Sequence, residues 1–127
     1  MKEFMLLIRN TADSKSAFTA AEDVQFLKAC EVYIDTLVKG AHLISAQPLV
    51  REGAMVSGTP GHFATGAYSA GAEVIVGYYH ILATGIEQAI EIAKGNPEFA
   101  YTTTARVEVR PIKTKETATA YVYPQGQ

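Results

Sequence analysis

Apolar residues along the chain recur in two rhythms, one suited to strands and one to helices, and their order predicts the architecture. "EFMLLIR" (residues 3–9) is a short apolar run that suits a buried strand. The polar stretch "NTADSKSA" follows as a loop. Thr19-Ala-Ala-Glu22 then has capping-box spacing, in which hydroxyl and carboxylate satisfy each other's end of the first helical turn. Behind it Leu27, Cys30, Ile34, Leu37 and Ala41 recur at steps of three and four, widened by Phe26, Tyr33 and Val38. The spacing predicts an amphipathic helix from about Ala20 to Lys39, with Gly40 as its left-handed stop.

"HLISAQPLV" (42–50) reads as a second strand, with Pro48 marking an edge or a bulge. "AMVSG", "TPG" and "HFATG" predict a protruding hairpin over 54–66, because Pro60-Gly61 supplies the dihedrals of a tight turn. "EVIVGYYHILA" (73–83) is the longest strand candidate. Thr84-Gly-Ile-Glu87 repeats the capping-box spacing, and Ile86, Ala89, Ile90 and Ala93 form one helical face that "GNP" (95–97) ends. "TTARVEVRPI" (103–112) alternates, with Ala105, Val107 and Val109 on one face and Arg106, Glu108 and Arg110 on the other. The tail, 113–127, is either frayed or adds an edge strand through "ATAYVY".

That order, β-α-β-(hairpin)-β-α-β, closes most economically as an α+β ferredoxin-like βαββαβ sandwich with an inserted hairpin. An open flavodoxin-like sheet would need more βα units than the chain contains. In such a sandwich both helices cover one face of the sheet, and strands with a wetted second face should alternate apolar and polar. The last strand does so; the first and the 73–83 strand do not. Strict alternation would point Val74, Val76, Tyr78, His80 and Leu82 one way and Glu73, Ile75, Gly77, Tyr79 and Ile81 the other. Either set would leave a large apolar patch in water, which marks a contact surface. The expectation is a homodimer packed sheet to sheet through the open face, with a cleft at its rim.

Composition narrows the possibilities. A chain of 127 residues, 48% hydrophobic and 19% charged, suits one globular domain, taken as 1–112. The formal net charge is −2 and the 11 basic residues are scattered, whereas a nucleic-acid binder carries a basic stripe. The single cysteine, Cys30, excludes an internal disulfide framework and a Cys-rich zinc site, and a reducing cytoplasmic setting is expected. "MKEFMLLIRN" is too short in its apolar run for a signal peptide, and no segment reaches the ~18 apolar residues of a membrane span.

The chemistry-bearing residues gather around the long strand. Glu73 is a candidate acid/base or cleft anchor, with pairing to Arg9 or Arg106 as the structural alternative. Alternation with Glu73 selects Tyr79 over Tyr78 for a cleft, with buried packing and a bonded hydroxyl as the alternative; the same alternation sends His80, a candidate proton-transfer group or else a satisfied core residue, to the opposite face. Arg9, Arg106, Glu108 and Arg110 could form a charged floor on the open face, in which two arginines hold a small carboxylate, with a solvated edge strand and a cross-strand ion pair as the equal alternative. His42, His62 and His80 share no metal-ligand spacing, so no metal is expected, nor any cofactor. "AYSAG" differs by one residue from a nucleophile elbow, but Ser69 precedes a strand rather than a helix. "GTPGHFATG" lacks the lysine and helix of a phosphate loop. Cys30, in the helix stripe, is expected to be inert packing.

"MKEFMLLIR", "EVIVGYYHIL", "IEQAIEIAKGNPEF" and "ARVEVRPI", in that order, resemble the YCII-related domain family, often called the DGPF family, over about residues 1–112. The resemblance implies a ferredoxin-like α+β domain that dimerises as the dimeric α/β-barrel proteins do. The family's motif Asp-Gly-Pro-Phe-x-Glu-x-Lys-Glu falls on "TGAYSAGAE", where Gly66 and Glu73 match and Tyr68 is a near match. Thr65, Ala67, Ala70 and Ala72 replace its Asp, Pro, inner Glu and Lys, and a His–Asp pair proposed as an active site in one branch of the family has no counterpart.

Three functions remain open on these grounds. The first is a dimeric protein binding a small anionic or aromatic molecule at the dimer interface, through Arg9, Tyr79, Arg106 and Glu108. The second is a barrel-type enzyme (isomerase, lyase or cofactor-free oxygenase) with Glu73 or His80 as base. The third is a structural module whose hairpin contacts a partner.

Overall fold

The first strand alternates in a way its apolar sequence hides. In β1 (Lys2–Thr11), Phe4, Leu6, Ile8 and Asn10 are buried while Glu3, Met5, Leu7 and Arg9 stay half-exposed. One face is therefore core and the other is open. The structure is a computed structural model that describes residues 1–68 and 73–124; Ser69, Ala70 and Ala72 of the motif stretch and the last three tail residues lie outside the described residues.

The remaining elements follow in the predicted order: α1 (Ala20–Lys39), β2 (Leu43–Pro48), β3 (Ala54–Thr59), β4 (His62–Ala67), β5 (Glu73–Ala83), α2 (Ile86–Lys94), a helical turn α3 (Glu98–Tyr101) and β6 (Arg106–Pro111). Four strands pair in the order β2-β5-β1-β6, each neighbouring pair antiparallel. Leu37 of α1 and Ala89 and Ala93 of α2 join Phe4, Leu6, Ile8, Tyr79 and Ile81 in one apolar cluster, so both helices cover the same face. The chain is thus α+β with an antiparallel sheet and two helices, consistent with a ferredoxin-like class.

α1 begins as predicted. Thr19 Oγ1 accepts from Glu22 N–H at 3.1 Å, and Glu22 Oε1 accepts from Thr19 N–H at 2.9 Å. Its end differs from expectation. Gly40 has φ −81°, and Ala41, at φ 60°, is the left-handed residue. His42 N–H returns to Leu37 O (2.8 Å) and Ala41 N–H to Val38 O (3.0 Å), the bonds of a Schellman ending. Glycine at 40 serves packing instead, since a Cβ there would lie 2.9 Å from the His42 ring.

The second capping box does not form. α2 starts at Ile86 with Gly85 as N-cap, which has no side chain to offer, and Gln88 Oε1 accepts from Thr84 N–H at 2.7 Å. Its inward face also turns: Ala89 and Ala93 are buried while Ile86 and Ile90 are exposed. Small residues let the helix lie close on the sheet.

The hairpin matches its prediction. Thr59 pairs with His62 across Pro60-Gly61, and Gly61 takes φ 83°. All twelve strand residues are exposed, Met55, Val56 and Phe63 among them, and 54–67 contains no Asp, Glu, Lys or Arg. The described part of the tail, 113–124, makes no edge strand in the sheet. Ile112 N–H bonds Glu3 O (3.0 Å), after which the tail closes on itself through a Lys115–Val122 bridge and a Tyr123 hydroxyl bond to Glu116.

The largest departure from strict alternation lies in β5. Ile8 pairs with Gly77 but Arg9 pairs with Ile75, so Val76 is an extra residue and the strand bulges there. Val74 and Val76 are buried before the bulge, and Gly77, Tyr79, Ile81 and Ala83 after it. Glycine suits the site because a Cβ at 77 would meet Gln47 O at 3.0 Å and Pro48 Cα at 3.2 Å. The Val76 carbonyl accepts from Leu49 N–H at 2.9 Å.

Candidate functional site

The bulge reassigns the predicted site. Glu73 lies on the open face, and beyond the bulge so do Tyr78, His80 and Leu82, while Tyr79 turns to the helix side. Tyr79 therefore does not share a face with Glu73, and His80 does. The strict alternation that paired Tyr79 with Glu73 fails because one extra residue flips every later side chain.

On the open face the charged candidates do come together. Arg106 forks onto Glu73, Nε donating to Oε2 at 2.7 Å and Nη2 to Oε1 at 2.6 Å. Arg9 Nη1 stands 3.7 Å from Glu73 Oε1, and its Nε donates to Glu108 Oε1 at 2.9 Å. Arg110 Nη1 donates to Glu108 Oε2, also at 2.9 Å. The result is a ladder of alternating sign: Arg106, Glu73, Arg9, Glu108, Arg110. His80 Nε2 sits apart, 2.7 Å from Glu3 Oε1.

This ladder has the chemistry of a braced surface. The Arg106 hydrogen bonds, then the Arg106 and Arg9 charges, hold the Glu73 carboxyl below the usual carboxylate range against an opposing effect of burial. The hydrogen bonds from Arg110 and Arg9 do the same for Glu108. A carboxylate held in that way is a weak base, and the Arg106 fork is already filled by Glu73.

A different site opens on the helix side. A pocket of about 340 Å³ lies between α1 and the β2–β5 half of the sheet. Phe26, Leu27, Ile34, Ala46 and Val76 form much of its apolar wall. α1 leaves room for it by packing loosely: only Phe26 and Leu37 are buried, and Leu27 is 51% exposed. Arg51 and Glu31 stand on the lining with Gln47, and Lys15, Glu98, Asn96, Cys30 and Tyr79 are on it as well.

The Lys15–Glu98 pair belongs to a buried network. Lys15 Nζ donates to Glu98 at 2.6 Å (Oε1) and 2.9 Å (Oε2). Asn10, fully buried, donates through Nδ2 to Glu98 Oε2 and to Thr102 Oγ1, both at 2.9 Å. Thr104 Oγ1 (2.6 Å) and Thr11 N–H (2.9 Å) donate to Asn10 Oδ1. Glu98 N–H donates to Asn96 Oδ1 at 2.9 Å, and the ammonium lies 4.9 Å from the Phe26 ring centroid. Such a network is stable because its charges and amide groups are met. Burial, then the nearby Glu98 charge, pushes the Cys30 thiol up to about 11, against the pull of Lys15. Cys30 is thus protonated at neutral pH, a weak nucleophile.

Sequence reasoning singled out none of Lys15, Asn96, Glu98 or Asn10. "GNPEF" registered only as a helix stop, and Lys15 sits in an ordinary polar loop. One signal was present: Asn10 falls on the inward register of β1, where a polar residue demands partners.

No helix of the described residues is long and apolar enough to cross a membrane, and among them no group of three His, Cys, Asp or Glu side chains could hold a metal ion. Comparison of the chain with protein-family models and with curated proteins finds no match.

Two outcomes test these assignments. Lys15→Met is expected to lower stability by ~2–4 kcal/mol in urea unfolding, because Glu98 stays behind as a buried charge, and adding Glu98→Gln should recover most of the loss. On the open face, both carboxyls have lowered folded pKa values. Their stabilisation is therefore present above the unfolded value near ~4.3 and lost as pH falls through the folded values. The stability gap between wild type and Glu73→Gln/Glu108→Gln should accordingly shrink from about pH 5 to about pH 3, and also in about 1 M salt, where exposed charges are screened.

Proposed function

We propose that the chain is a small-molecule-binding protein of ferredoxin-like architecture, similar to the YCII-related family, whose ligand occupies the pocket between α1 and the sheet. This moves the binding site from a dimer rim into a single subunit. The supporting observation is the pocket itself, about 340 Å³ and mostly apolar, with polar groups at a few positions. Ligand pockets share that size and lining. The surface ladder is the weaker candidate, since its arginine and carboxylate groups satisfy one another.

A pocket-filling substitution tests the reading. Ala46→Phe should abolish the binding of a hydrophobic fluorescent probe while changing the melting temperature little. Unchanged probe binding in that variant would place the ligand elsewhere.

Two copies of the chain pack through the open face. Met5, Leu7, Ile75, Tyr78 and Leu82 form its half-exposed apolar centre, with the ladder and the Glu3–His80 pair around them. An apolar centre with a polar rim is the anatomy of a protein interface. Light scattering at micromolar concentration should give twice the mass of one chain, and Leu7→Glu should halve it; a wild-type monomer would overturn the dimer.

A further inference from the structure

Tyr79 has an unusual environment for a buried tyrosine. It is 8% exposed, sits in the core cluster, and has its ring fixed edge-on against Tyr33 at 5.3 Å. Buried tyrosine hydroxyls ordinarily find a hydrogen-bond partner. Among the described residues none reaches the Tyr79 hydroxyl. The oxygen is not sealed in either: Ser14 Oγ alone, among buried side-chain polar atoms of the described residues, is both enclosed and unbonded. Tyr79 lines the pocket, and so do Cys30 and Glu98, two of the groups whose charges act on its hydroxyl.

The groups near that hydroxyl are occupied or neutral. Tyr33 donates its own hydroxyl to Ile92 O at 2.6 Å. Glu98 is held by Lys15 and Asn10. Burial first, then Cys30, Tyr33 and Glu98, raises the Tyr79 pKa, so the phenol keeps its proton and remains a donor.

We propose, resting on the pocket reading above, that the ligand is a compact apolar molecule bearing a neutral carbonyl oxygen, which accepts a hydrogen bond from the Tyr79 hydroxyl. Neutrality follows from the charges already in place. Lys15 meets both Glu98 oxygens, so an anion beside them would face the Glu98 carboxylate and a cation the Lys15 ammonium, and Arg51 and Glu31 add one further charge of each sign to the same lining. The apolar body lies against Phe26, Leu27, Ile34 and Val76. The carbonyl oxygen meets a donor that no group of the described residues meets, on a side chain only 8% exposed.

Three probes with one ring system test this: indane, 1-indanone and indane-1-carboxylate, titrated by calorimetry into wild type and Tyr79→Phe. Wild type is expected to bind 1-indanone about tenfold tighter than indane, the worth of one well-made hydrogen bond. Tyr79→Phe should remove that preference and leave indane affinity unchanged. Equal affinity for indanone and indane, or a preference that survives in Tyr79→Phe, overturns the carbonyl assignment while the pocket stands. Tightest binding of the carboxylate overturns the neutral class. If none of the three binds, while Ala46→Phe still blocks the fluorescent probe, the carbonyl proposal fails alone; if Ala46→Phe leaves probe binding intact as well, the pocket reading fails with it.

Discussion

The bulge at Val76 is the constraint on which the arrangement of chemistry depends. A strand that spans the middle of a sheet normally sends alternate side chains to opposite faces. In β5 the extra residue resets that alternation half-way along. Without it Tyr79 would stand beside Glu73 on the open face, and His80 would take its place against Tyr33 in the core. With it, the polar residues of β5 separate into a charged surface group and one phenol facing the helices. Gly77 permits the close approach of the β2 backbone that the reset requires.

The two faces then solve the problem of charge differently. On the open face five charges alternate in sign, with water still near each of them, so each pair contributes modestly and salt weakens it. On the helix side Lys15 and Glu98 are largely withdrawn from water. There the cost of desolvation is met by a short ion pair and by an asparagine that gives both of its amide ends to neighbours. The first arrangement braces strand ends. The second pins the loop after β1 and the α3 turn against the base of the pocket.

The pocket exists because α1 is anchored unevenly. Leu37 joins the core and Phe26 packs on Phe18 and Tyr101, while Leu27, Cys30 and Ile34 between them border the pocket. A helix in which each stripe residue was buried would have closed that space. The hairpin, without Asp, Glu, Lys or Arg and exposed along both strands, shows the opposite imbalance: surface apolar groups left uncovered by the described residues of the chain.

Local physics was legible in the residues themselves. The bounds of α1, its Thr19–Glu22 box, the Pro60-Gly61 turn, the six strands in order and the alternation of β6 each depend on neighbours within a few positions, and the chain carries that information directly. The α2 start was misread because Gly85 took the cap position one residue beyond Thr84. The faces of β5 were misread although a hint was present, since a glycine inside a strand opposite a proline is a sign of irregular pairing. Lys15, Asn10 and Glu98 meet across as many as 88 residues of chain, and no local pattern ties a loop lysine to a carboxylate in a later helical turn. Periodicity fixes which residues form an element and where it turns. Only packing decides register, and register determines which side chains share a face.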